Sequence, residues 1–185
     1  ALQKLAGHLR GAGYALTVLA AKDGPLRADY EADGIEVLIE PHLLLDVRYT
    51  VRLASGYDGV LVNTLKPWRA IIAARACGKP SIWWIHEAEE GRQEIRRTPL
   101  IAESLPAAGV VLFSSQAIAD LYRDWLRNGC HQVIRYGLGL DASSSPTTPA
   151  PVSRSDANSL SANGSVRSYF AEAMERVIAD ACRGH

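Results

Sequence analysis

Cysteine is scarce and scattered in this chain. Cys77, Cys130 and Cys182 are odd in number and far apart. That excludes a disulfide framework and a close-spaced metal knuckle. It fits free thiols in a reducing cytosol, the expected compartment. Excess charge is also missing: Lys plus Arg and Asp plus Glu are 20 each. Nothing therefore draws the chain as a whole to nucleic acid or to an anionic membrane. No run reaches the roughly 18 apolar residues of a membrane span. No charged start followed by an apolar core and a small-residue cleavage site marks a signal peptide. Neither common glycine-rich phosphate loop occurs, and no serine sits in a nucleophile elbow. His8, His42, His131 and His185 lack metal-like spacing. On these grounds no metal and no bound cofactor is expected.

What is present is an alternation. The chain has 185 residues, 48% of them apolar, enough for one domain with a proper core. Leu2, Leu5, Ala6, Leu9 and Ala12 lie on one face of a helix that Gly11 and Gly13 end. Strands are expected over 14–21, 35–40, 59–62, 80–85, 110–113 and 132–136. Helices are expected over 26–33, 43–54, 67–76, 100–105 and 116–127. Strand–helix alternation of this kind predicts an α/β fold, a Rossmann-like parallel sheet with helices on both faces. No strand precedes the helix at Leu2. Residues 1–141 form this expected domain. Residues 142–164 are rich in Ser, Thr and Pro and read as a flexible linker. Residues 165–185 read as an amphipathic helix through Val166, Phe170, Ala173, Val177 and Ala181.

Chemistry is expected at the strand ends, because ligands of open parallel sheets bind outside the carboxyl ends of strands. Four expected strands end in polar pairs: Asn63 and Thr64, His86 and Glu87, Ser114 and Ser115, Tyr136 and Gly137. His86 is the leading candidate. The apolar run Ser81, Ile82, Trp83, Trp84, Ile85 stops abruptly at it, and a neutral imidazole can donate or accept a hydrogen bond while its charge changes near physiological pH. A histidine bonded to a neighbouring loop is the alternative. Ser115 is equally a helix cap. Glu89 and Glu90 read as an exposed acidic helix start, and Glu87 stays open between ligand and structural roles. Arg92, Arg96 and Arg97 form a basic cluster that is either a solvated face or a contact for phosphate or lipid headgroups. The bulky Trp83 and Trp84 read as strand core, because side chains alternating inside a sheet cannot stack on a ligand at its end.

The ordered set of segments resembles the amino-terminal domain of family 4 glycosyltransferases, which have the two-domain GT-B architecture. The segments are a helix leading into Gly13, Tyr14, Ala15, Leu16, Thr17, Val18; then Tyr57, Asp58, Gly59, Val60, Leu61, Val62, Asn63; then Gly78, Lys79, Pro80 through His86 and Glu87; then Val111, Leu112, Phe113, Ser114, Ser115. Val133 to Asp141 is similar to the family's segment before its interdomain linker, with Tyr136 where asparagine is common. The resemblance covers residues 2–141. It implies sugar transfer from a nucleotide-sugar donor to an acceptor hydroxyl, with the acceptor glycan or lipid on this side and His86 in the cleft. Two departures accompany it. The family's first strand and glycine loop, which precede the helix at Leu2, are missing, and so is the donor domain with its paired glutamates; Glu172 and Glu175 are too close to be that pair. The expectation is an acceptor-side domain that is inactive alone. A homodimer and peripheral membrane contact are further expected partners, and nucleic acid is not. The other reading is a non-catalytic, flavodoxin-like module that binds a sugar or a partner chain.

Overall fold

The computed structural model describes residues 2–126, 131–134 and 176–178. Its strands are β1 (Thr17–Ala20), β2 (Glu36–Ile39), β3 (Val60–Asn63), β4 (Ser81–Ile85), β5 (Val110–Phe113) and β6 (His131–Val133). Its helices are α1 (Leu2–Gly11), α2 (Leu26–Ala32), α3 (Val47–Ser55), α4 (Trp68–Ala76), α5 (Glu89–Arg97), α6 (Leu100–Ser104) and α7 (Gln116–Tyr122). Every strand pairing is parallel, the arrangement that strand–helix alternation dictates.

The strands form two ladders where a single sheet was expected. β1 pairs with β2, and β3-β4-β5-β6 make a separate four-stranded sheet. Between β1 and β3 the ladder is interrupted. α5 is not among the expected helices, and three of those expected differ. That over 100–105 ends at Ser104, with Leu105–Ala107 a 3-10 turn. The helix expected over 43–54 divides into a 3-10 turn, Pro41–Leu44, and α3. Asp46 divides it: its carboxylate accepts the N–H groups of Arg48 and Tyr49, and a cap of this kind begins a new helix. The helix expected over 116–127 stops at Tyr122 and tightens into a 3-10 turn, Arg123–Trp125. At the other helix ends, glycine behaves as the sequence suggests. Gly78 takes φ 64°, and Lys79 N–H then reaches back to Ala74 O at 2.9 Å, closing α4 in the left-handed manner that suits glycine.

Helices cover both faces of the four-stranded sheet. On one face Trp68 and Ile71 of α4, Ile95 of α5, Ile101 of α6 and Tyr122 of α7 pack on Val62, Trp83, Val111 and Phe113. On the other, Leu5 and Leu9 of α1 pack on Ile82, Trp84 and Leu112. Val177, in the helical turn at residues 176–178, is buried in that second cluster. The linker expected over 142–164, and all but that turn of the terminal helix, lie outside the described residues. β4 sits between two neighbours and, among the described strands, is the one buried at every position, which accounts for its continuous apolar sequence. No helix among the described residues is long and apolar enough to cross a membrane.

Candidate functional site

Parallel register aligns the carboxyl ends of the strands. Asn63 stands opposite Trp84, and Ile85 opposite Phe113. His86 and Ser114 are the next residues of their strands' exits, so Asn63, His86 and Ser114 come to one edge of the sheet. The site residues predicted on β3, β4 and β5 are thus brought together by the ladder. Tyr136 and Gly137 lie outside the described residues.

His86 leaves β4 on the same side as Trp84, two residues earlier, as strand periodicity requires. Its ring lies 4.3 Å from that of Trp84, tilted by 56°. Its Nε2 is 2.7 Å from Asn63 Oδ1. With the amide oxygen as acceptor, Nε2 carries the proton. Burial against this apolar wall lowers the imidazole pKa, and the nearby Glu87 charge opposes the shift only in part. His86 is therefore neutral at pH 7.

Glu87 is engaged with the backbone. Oε1 accepts Leu65 N–H at 3.0 Å, and Oε2 accepts His86 N–H at 3.1 Å. The carboxylate thereby ties the loop after β3 to the end of β4. Within that loop Thr64 has φ 75°, the only positive φ at a non-glycine among the described residues. A β-branched residue in this region is strained. The loop is held there by Thr64 N–H to Trp84 O at 2.9 Å and Trp83 Nε1–H to Thr64 O at 2.7 Å.

A further support comes from α7. The Tyr122 hydroxyl donates to Glu87 O at 2.8 Å. Tyr122 is wholly buried; burial first, then the charges of Glu87, Glu90 and Glu89, push its pKa up, so it stays protonated. Gly91 makes room for this contact. A Cβ there would come within 1.8 Å of the Tyr122 hydroxyl and 2.9 Å of Glu87 Cβ. The sequence pattern showed Tyr122 only as one member of an apolar helix stripe, and nothing in it signalled the hydroxyl's partner.

The other candidates take plainer roles. Ser115 caps α7, its Oγ accepting Ile118 N–H at 3.3 Å. Glu89 and Glu90 occupy the first turn of α5 and Arg96 and Arg97 its last, all four exposed, while Arg92 reaches Glu89 at 3.4 Å. Trp83 and Trp84 are completely buried and present no stacking platform. Among the described residues no three His, Cys, Asp or Glu side chains are grouped to hold a metal.

Chemically, this edge offers a neutral imidazole beside an amide, a half-buried hydroxyl at Ser114, and the strained Thr64. Such a set can orient and polarise a ligand hydroxyl. Glu87 is poorly placed to act as a free base while both its oxygens hold backbone N–H groups.

Three outcomes are expected. Because the unfolded chain takes up the histidine proton at higher pH than the folded chain does, stability should be full above about pH 6.5 and decline as pH falls below it; urea midpoints at pH 7.5 and 5.5 should differ less in His86→Gln than in the wild type. Glu87→Ala should lower stability by about 1–3 kcal/mol, since two backbone donors lose a charged acceptor, and Glu87→Gln by less. Gly91→Ala should cost about 1–3 kcal/mol by overpacking against Tyr122, read from the same denaturation curves. In comparison with known proteins, the chain matches no family model and no curated sequence.

Proposed function

We propose that the described residues form the acceptor-side wall of a sugar-transfer cleft, in the manner of family 4 glycosyltransferases. The observation that carries this reading is His86: a neutral imidazole at the carboxyl end of the most buried strand, braced by Trp84 and hydrogen-bonded to Asn63. In the transfer, the bond between the anomeric carbon and the nucleotide's phosphate oxygen breaks. A bond from that carbon to an acceptor oxygen forms, and the acceptor hydroxyl loses its proton. His86 would orient that hydroxyl, with Asn63, Thr64 and Ser114 supplying further hydrogen-bonding groups. The proposal assigns the nucleotide-sugar to a facing wall that these residues do not include. The isolated chain would then bind acceptors without turning over donor.

One observation favours a second reading, a non-catalytic module for a sugar or a partner chain. Both Glu87 oxygens are committed to backbone amides, so the carboxylate nearest His86 serves the scaffold.

Titration of the chain with a panel of glycans, followed by the His86 ring and Asn63 side-chain NMR signals, tests the site. The expected result is a shift at both groups for at least one glycan, lost in His86→Ala. Unmoved signals across the panel would sink the transfer reading and the sugar-binding form of the second, and leave only a partner chain. A nucleotide-sugar panel incubated with the chain and a bound glycan separates other outcomes: no turnover is expected, and turnover would disprove the assignment of the donor to a separate wall.

A further inference from the structure

A buried hydroxyl on α7 acts at the exit of β4. Tyr122 is the last residue of α7, and two rings hold its own. Phe113 of β5 lies 5.3 Å away, tilted by 37°, and Trp125 lies 6.1 Å away, edge-on. Tyr122 is wholly buried and belongs to an apolar cluster. A phenol in such a place needs an acceptor. Its acceptor is the carbonyl of Glu87, at 2.8 Å, the residue that follows His86. Gly91 leaves the space for this approach, since a Cβ there would collide with the hydroxyl.

Glu87 passes this support to the strained loop. Thr64, at φ 75°, lies between two peptide groups, and each is pinned. Ahead of it, Thr64 N–H donates to Trp84 O at 2.9 Å. Behind it, Thr64 O accepts Trp83 Nε1–H at 2.7 Å, and Leu65 N–H donates to Glu87 Oε1 at 3.0 Å. Of these three restraints, only that at Glu87 is anchored outside β3 and β4, through the Tyr122 hydroxyl. A threonine without restraint returns to negative φ. The simplest return is a flip of the peptide between Asn63 and Thr64. It changes ψ of Asn63 together with φ of Thr64 and breaks the bond to Trp84 O. Rotamer choice depends on the residue's own backbone angles, so Asn63 would lose its aim at His86 Nε2, now 2.7 Å from its Oδ1.

We propose that Tyr122 is a positioning residue for the His86 site. Through Glu87 it holds Thr64 at positive φ, and Thr64 in that state keeps Asn63 aimed at His86. The consequence is chemical. With Asn63 Oδ1 as the acceptor, the neutral imidazole carries its proton on Nε2, and Nδ1 is its basic nitrogen. A hydroxyl on α7 thereby decides which ring nitrogen of His86 is basic. The proposal rests on His86 as the group that faces a ligand. Its test uses no glycan, so it can fail while the glycan titration succeeds, and the reverse.

The ring-nitrogen NMR shifts of His86, recorded on the full chain at about pH 7.5, read the two neutral tautomers. The wild type should show the Nε2–H form in excess. Tyr122→Phe should lower the ratio of Nε2–H to Nδ1–H by about fivefold, the worth of one net hydrogen bond. Thr64→Gly should keep the wild-type ratio, because glycine accepts positive φ without strain. Tyr122→Phe added to Thr64→Gly should then change the ratio by less than about twofold. Ile35→Val, in the separate cluster with Ala6, Tyr30 and Val37, should lower the urea midpoint as Tyr122→Phe does and leave the ratio alone. An unchanged ratio in Tyr122→Phe, an equal fall in Ile35→Val, or an undiminished fall on the Thr64→Gly background overturns the proposal. If Tyr122→Phe does not fold, Glu87→Gln reads the same clamp from its other end, since an amide can accept only one of the two N–H groups well. The same direction of change is expected there, and a wild-type ratio overturns the proposal.

Discussion

Trp83 and Trp84 leave β4 on opposite faces, and both are completely buried. Truncation of an indole at such a position typically costs about 3–5 kcal/mol, a large share of the stability of an ordinary domain. The pair therefore pins β4 between two helical layers. Each also contributes to the loop beyond the strand. Trp83 donates from its indole to Thr64 O, and Trp84 receives Thr64 N–H on its backbone and packs its ring against His86. The core and the candidate site are held by the same two side chains.

Around that anchor, hydrogen bonds offset a local cost. A threonine at φ 75° is strained by about 1–3 kcal/mol. Its neighbours hold it: Glu87 grips Leu65 N–H, and Tyr122 grips Glu87 O. Gly91 permits the Tyr122 hydroxyl to approach that closely. The outcome is a rigid edge, where His86 is held neutral by burial and aimed by Asn63. Rigidity of this kind suits a group that must orient a ligand hydroxyl.

Much of the fold was legible along the chain. The apolar runs that became β3, β4 and β5 sit where the pattern placed them, and so do the polar residues at their ends, because strand periodicity and glycine stops are local properties. The division of residues 43–54 was less visible. Asp46 reads as an ordinary polar residue until its carboxylate is seen to accept two N–H groups. The supports of the site were not visible at all. Glu87 meets Leu65 across 22 positions, and Tyr122 meets Glu87 across 35. No spacing rule reaches so far. For the same reason the sequence left Glu87 open between ligand and brace, while the three-dimensional arrangement commits its oxygens to the backbone.

Composition and periodicity by themselves determined a parallel α/β domain whose central strand ends at His86. They do so because burial on both faces demands an unbroken apolar run, and the run's end must then be an edge. Only tertiary structure decided which groups surround that histidine, and that the strands divide into two ladders. Both are matters of pairing between distant segments. A strand's sequence encodes which faces it buries, but the neighbour at each edge is chosen by the path of the whole chain.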